Sequence, residues 1–197
     1  MKREILNRLA IQCREESTEP IVFSGGNPEA HIMLVGEAPG AKEIELGKPF
    51  VGQAGKNLDE FLHILNLIKE DIYITNVVKI RPYKINDKTG RKSNRPPKKD
   101  EIEQYNKYLF KEIQIIKPKI IITLGNVPLK VVLGEKNAVI GAYHGKAMDK
   151  GAYHVFPLYH PASIIYNQSL RNTYINDLYE LKDHLDRLHS KNECHEA

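Results

Sequence analysis

His31-Ile32-Met33-Leu34-Val35-Gly36-Glu37-Ala38-Pro39-Gly40 is the stretch on which the fold turns. Its first half, His31–Gly36, is a short unbroken apolar run, the mark of a strand buried on both faces. Its second half is a tight turn bounded by glycine and proline, residues that set unusual backbone angles and let main-chain N–H groups face a cleft. Three more runs of the same kind lie downstream, at Ile72–Val77, Lys119–Leu124 and His154–Leu158. Each is rich in Ile, Val, Leu or Tyr and bounded by Gly, Pro or charge.

Between these runs the apolar period lengthens. Leu58, Phe61, Leu62, Leu65 and Ile68 share one helical face, as do Ile102, Tyr105, Leu109, Ile113 and Ile116 after Pro96-Pro97. Asp100 and Glu101 favour the start of the second helix, because acids there meet the positive end of the helix dipole. A last helix runs from about Ser169 to His189 on Leu178, Leu181, Leu185 and Leu188, and an N-terminal one carries Ile5, Leu6 and Leu9. Strands that alternate with helices pair in parallel and are covered on both sides. The expectation is an α/β fold: one three-layer α/β/α domain over residues 1–197, with a central four-stranded parallel sheet. Tyr83–Pro97 reads as the one long loop, polar and basic.

Composition narrows the function classes. With 197 residues, 41% hydrophobic and 27% charged, the chain has the balance of a soluble globular domain. No apolar run approaches the ~20 residues of a membrane span, and Met1-Lys2-Arg3-Glu4 leads into a charged amphipathic stretch, so a cytoplasmic protein is expected. Cys13 and Cys194 sit at opposite ends with no CxxC spacing, which points to a reducing compartment and not to a disulfide scaffold. The net charge of +4 is mild, and its distribution says more than its size. Lys79, Arg81, Lys84, Lys88, Arg91, Lys92, Arg95, Lys98 and Lys99 crowd one segment, with Asp87 the only acid among them. Such a run is either a solvated loop or a track for phosphates.

In parallel α/β sheets, ligands bind beyond the carboxyl ends of the strands. Gly36–Gly40 leaves the first strand, Asn76 ends the second, and His160-Pro161 follows the fourth, so all three converge on one edge. Each has a plain and a functional reading. The Gly36–Gly40 turn is an ordinary strand-to-helix connection or a pocket wall; it is neither a phosphate loop nor a dinucleotide fingerprint. Phe50, within Gly47–Gly55, either plugs the core or presents its face to a planar base. Asn76 is unusual in an apolar strand; its amide either ties a loop or reads the edge of a pyrimidine, since it offers both donor and acceptor. His160 is one of eight histidines, and no cluster with zinc-ligand spacing accompanies it.

Taken in order, Gly36–Gly40, Gly47–Gly55, Thr75-Asn76-Val77-Val78-Lys79, Leu124-Gly125 and His160-Pro161-Ala162 resemble the motif set of the uracil-DNA glycosylase superfamily. The likeness is closest to its iron–sulfur, thermophile-type branch, family four, and runs from about Ile21 to the last helix. It implies a monomeric DNA-repair glycosylase that flips uracil from DNA and hydrolyses its N-glycosidic bond, leaving an abasic site. Carried over position by position, Phe50 stacks on the flipped base, Asn76 reads its edge, and His160 hydrogen-bonds the O2 side as negative charge builds there. Gly36, Glu37, Ala38 and Gly40 form the pocket wall that also positions water. Ala38 stands where another branch has Asp, which leaves Glu37 as the motif carboxylate for that water, or as pocket wall through its backbone alone. Lys79 and Arg81 would contact phosphates. The loop opened by His160-Pro161, with Ser163 and Tyr166, would press into the duplex, although Tyr166 stands where the branch has Arg.

The resemblance also implies a loss. The branch holds an iron–sulfur cluster on four cysteines; here Ile80 and Tyr105 stand at two of those positions, and only Cys13 falls near the N-terminal pair. Four thiolates cannot be assembled, so no cofactor is expected and apolar packing takes the cluster's structural place. Excision of hypoxanthine or xanthine, and DNA binding with little catalysis, are the competing readings. A nucleotide-binding domain unrelated to repair ranks last, for want of a phosphate loop or acidic metal site.

Overall fold

The four apolar runs form four parallel strands because, beyond His31, Lys119 and His154 at their starts, every residue in them is buried. The computed structural model describes residues 1–193, apart from the side chains at 53, 54, 57, 165, 166, 189 and 191–193. Its elements, in chain order, are α1 Lys2–Glu15, β1 Ser24–Gly26, β2 Ile32–Gly36, α2 Ala41–Leu46, α3 Gln53–Leu65, a 3₁₀ turn Lys69–Asp71, and β3 Ile72–Asn76. There follow β4 Tyr83–Ile85, β5 Lys92–Asn94, α4 Lys99–Ile116, β6 Ile120–Leu124, α5 Asn126–Leu133, α6 Ile140–Tyr143, β7 Met148–Asp149, β8 His154–Leu158, α7 Pro161–Tyr166 and α8 Leu170–Glu193.

Successive side chains of a strand point to opposite faces. Met33, Val35, Tyr73, Ile121 and Val155 pack against α1, α4 and α5, whereas Ile32, Leu34, Ile72, Ile74, Ile120, Ile122 and Phe156 pack against α3 and α8. Two such layers make the α/β/α sandwich and explain runs without polar alternation. None of the described helices is long and apolar enough to cross a membrane.

The sheet differs from expectation in size. It has six strands in the order β1-β3-β2-β6-β8-β7, with the expected parallel four in the middle and an antiparallel strand at each edge. The edge strands left no hydrophobic signal: β1 is Ser24-Gly25-Gly26 and β7 is only Met148-Asp149. The long loop is also corrected. Residues 83–85 and 92–94 pair as a β4–β5 hairpin, closed where Asn86 Oδ1 accepts from the Lys88 and Thr89 amides at 3.0 and 3.1 Å and Gly90 turns at φ 64°. Lys84, Ile85, Lys92, Ser93 and Asn94 are exposed, and the Tyr83-Lys84-Ile85 alternation is shorter than the about four residues that mark a half-buried strand.

Register sets the functional edge. Gly36 lies beside Asn76 and Leu124 beside Leu158, so the parallel strands end level and release their turns on one side.

Candidate active site

Gly36 sits at the centre of this edge, and nothing larger would fit. A Cβ there would lie 2.3 Å from Asn76 Oδ1 and 2.8 Å from Phe50 Cζ. The amide and the ring therefore meet over a bare backbone. Both are buried, Asn76 at 3% and Phe50 at 6% exposure. Phe50 holds a left-handed φ of 52°, a conformation that costs a non-glycine residue of order 1–3 kcal/mol and persists only when its surroundings impose it. Those surroundings are visible. Gly55 leaves room where a Cβ would be 2.3 Å from the Phe50 carbonyl, and the buried Glu43 carboxylate accepts from the Val51 and Gly52 amides at 3.1 and 2.7 Å. Glu43 escaped the sequence reading, because one acid on a six-residue helix carries no signal of its own.

At the same edge opens a cleft of about 520 Å³, lined by Glu37, Ala38, Gly40, Glu43, His160 and Ser163, with Pro82, Asn94 and Arg95 at the foot of the hairpin; Phe50 and Asn76 lie behind this lining and not in it. The two groups of residues are joined through the backbone, where the Val77 and Val78 amides donate to the Gly36 and Glu37 carbonyls at 2.9 and 3.0 Å.

His160 caps α7. Its Nδ1 accepts from the Ala162 amide at 3.1 Å, and Pro161 takes the first helical position, where a missing N–H costs nothing. Burial holds the imidazole below its ordinary pKa, so it is neutral at pH 7. A neutral ring whose Nδ1 accepts must carry its proton on Nε2, which makes Nε2–H the donor. Gly125, at φ 89°, admits this close approach: a Cβ there would sit 3.3 Å from His160 Cβ. Burial also raises the Glu37 carboxyl above its ordinary value.

The sequence that builds this site has relatives among known proteins. The sequence profile of the Uracil DNA glycosylase superfamily matches residues 23–181. The chain belongs to that superfamily. A Type-4 uracil-DNA glycosylase of Sulfurisphaera tokodaii is 41% identical over 166 residues, covering 80% of this chain and 71% of that protein. The one from Saccharolobus solfataricus is 41% identical over 168 residues, covering 81% and 74%. That of Thermotoga maritima is 34% identical over 170 residues, covering 85% and 84%.

Set against its superfamily, the chain requires one correction at a site residue. Lys79 is not a phosphate contact. It is fully buried, with its ammonium 2.5 Å from Glu112 Oε2, and its three protons are taken inside the protein. Arg81 is part-buried and braces the hairpin, donating from Nε to Asn94 Oδ1 at 2.7 Å. Ser163 faces the cleft, while the Tyr166 side chain and Cys194 lie outside the described residues.

The donor set does not suit an iron–sulfur cluster. Cys13, Ile80 and Tyr105 all pack in one apolar cluster, and the Tyr105 hydroxyl bonds Ser17 Oγ at 2.8 Å. Burial pushes the Cys13 thiol up to about 11, the opposite of a ligand thiolate. Among the described residues, no group of three or more His, Cys, Asp or Glu is placed to hold a metal.

The two shifted groups set a pH dependence. On the roles expected for them from the sequence, catalysis would require an ionised Glu37 and a His160 whose Nδ1 is unprotonated. Single-turnover rates measured from about pH 4 to 9 should therefore rise from acid to a plateau through neutral pH. The limb reports a carboxyl raised above 4.5 and an imidazole lowered below 6.5. Glu37→Gln should remove the carboxyl component and keep the histidine one; an unaltered limb would show that Glu37 does not titrate in catalysis. The stability signs are opposite. His160 contributes stability above its unfolded pKa, lost as pH falls through its lowered folded value. Glu37 favours the fold at acid pH, and that advantage is lost as pH rises through its raised value.

Proposed function

We propose that this protein is a monofunctional uracil-DNA glycosylase working without an iron–sulfur cluster. It flips uracil from DNA and hydrolyses the N-glycosidic bond, leaving an abasic site. The observation that carries this reading is the cleft at this sheet edge, where His160, held through Nδ1 by the Ala162 amide, stands with Glu37 and Ser163 beside the Gly36, Asn76 and Phe50 contact. The names of its relatives, Type-4 uracil-DNA glycosylases, support it.

The chemistry needs such a site. Extruding a base costs a few kcal/mol, least where pairing is already weak, as for uracil opposite guanine. Cleavage then builds negative charge on the base and positive charge on the sugar. A fixed neutral donor meets the first without competing positive charge of its own, and one such bond is worth about 3–4 kcal/mol in the transition state. The Asn76 amide reads the uracil edge, Phe50 supplies the stacking face, and Glu37 orients the attacking water. A carboxylate made more basic by burial suits that last task.

The direct test uses labelled duplexes carrying one uracil, hypoxanthine or xanthine, treated with alkali after incubation with protein from a host lacking its own uracil glycosylase. Scission at uracil is the expected result. Scission only at the purines would move the substrate to deaminated adenine or guanine, and none at all, with binding intact, would make the protein a DNA binder.

The hairpin supplies affinity. Lys84, Lys88, Arg91 and Lys92 project from or near β4 and β5, beside the cleft, and Arg95 fixes the hairpin to α4 by donating both arms to Glu101 at 2.8 and 2.6 Å. Each phosphate contact contributes about −0.9 to the slope of log K against log salt. Replacing these four residues by glutamine should flatten the slope by about 2–4 and weaken uracil and control duplexes alike. An unchanged slope would remove the hairpin from the DNA interface.

A further inference from the structure

Beneath the proposed pocket lies a charged cluster that the excision chemistry does not use. Lys79 Nζ has three protons and three close acceptors: Glu112 Oε2 at 2.5 Å, Thr75 Oγ1 at 2.6 Å and the backbone carbonyl of Asn76 at 2.9 Å. The Phe23 ring lies 4.9 Å from the ammonium. Glu112 is occupied in turn, accepting from the Tyr73 hydroxyl at 2.8 Å and lying 3.0 Å from Thr75 Oγ1. Lys79, Glu112 and Thr75 are all fully buried.

Stability is a weak reason for such a cluster. A buried ion pair contributes no more to folding than an apolar pair of the same volume, and often less, because desolvating both charges offsets their attraction. An apolar pair, however, could not bond to Asn76. The ammonium grips the carbonyl of the last residue of β3, on the same peptide unit whose amide donates from Val77 to Gly36. That peptide is thus held from both ends, by Gly36 on one side and Lys79 on the other. From that anchored peptide the Asn76 side chain extends over the bare Gly36, where a Cβ would stand 2.3 Å from its Oδ1.

We propose that Lys79, charged and held by Glu112, is a positioning residue that aims the Asn76 amide at the base and so sets the preference for uracil. The inference rests on Asn76 reading the base edge. Uracil and cytosine present opposite donor and acceptor patterns at that edge, so a misaimed amide loses preference as well as rate.

The test is a double-mutant cycle. Lys79→Met with Glu112→Leu removes both charges together and strands neither; it is made in the native chain and in an Asn76→Ala background. Single-turnover excision is measured on uracil and cytosine duplexes, with melting curves to establish folding. In the native background the pair should lower the uracil rate about tenfold or more and narrow the uracil-to-cytosine ratio. With Asn76 already alanine it should change either quantity by less than about twofold, since contacting residues are not additive. Equal losses in both backgrounds, or no loss in the native one, would overturn the inference. Should Asn76→Ala alone leave rate and ratio unchanged, the edge-reading assignment fails first, and this one with it. Glu112→Gln, which keeps shape and hydrogen bonding, carries the same cycle if the apolar pair does not fold, and there too the loss must vanish in the Asn76→Ala background.

Discussion

Replacing His160 by alanine is expected to slow uracil excision by about 10²–10³-fold while changing affinity for the uracil duplex only a few-fold. The separation follows from the place of the side chain. In the proposed reaction its Nε2–H meets a base that becomes an anion only during bond cleavage, so the hydrogen bond strengthens in the transition state and does little before it. The ring has a second task, because Nδ1 caps α7 through the Ala162 amide. Losing a cap costs about 1 kcal/mol, so the alanine variant should also melt a few degrees lower. His160→Asn separates the two: asparagine is a good cap but cannot place a donor where Nε2–H was. It should recover most of the melting temperature and little of the rate. Recovery of both would mean that His160 serves structure alone.

Gly36→Ala should cost excision about 10²-fold or more while leaving the protein folded. The added methyl would stand 2.3 Å from Asn76 Oδ1 and 2.8 Å from Phe50 Cζ, distances at which something has to move. Neither neighbour retreats easily. Asn76 is tethered through its carbonyl to Lys79, and Phe50 belongs to the buried apolar cluster with Leu34, Leu58, Phe61 and Leu124. Overpacking of this kind costs about 1–3 kcal/mol, which a chain of this size shows as a drop of several degrees in Tm. An ångström of displacement in a reading or stacking group is enough for the kinetic loss. Near-native excision by the alanine variant would show that the amide and ring do not need this contact.

The parts of this architecture that were legible in the sequence are those written in hydrophobicity and glycine. The four parallel strands could be read because both faces of the sheet are covered and their runs are unbroken. The turn at Gly36–Gly40 and the tip at His160-Pro161 could be placed on one edge because α/β sheets release their turns on one side. What stayed hidden depends on tertiary partners. The β4–β5 hairpin is short and mostly exposed, with only Tyr83 and Ile85 apolar, and is held by Arg81, Arg95 and the Asn86 turn. Lys79 looked like one more solvated base in a basic segment, and only the approach of Glu112 from α4 reveals it as interior. Glu43 likewise becomes informative only once the Val51 and Gly52 amides are seen to point at it.

The central claim is hydrolysis of the glycosidic bond by a protein with no cluster, and product analysis tests it most directly. Purified protein of measured iron content is incubated with a uracil-containing duplex, and free uracil, abasic sites and strand breaks before alkali are counted separately. The expected result is one free uracil for each abasic site, strands intact until alkali, and a rate that does not rise with residual iron. No released uracil, breaks that appear without alkali, or activity that scales with bound iron would contradict it.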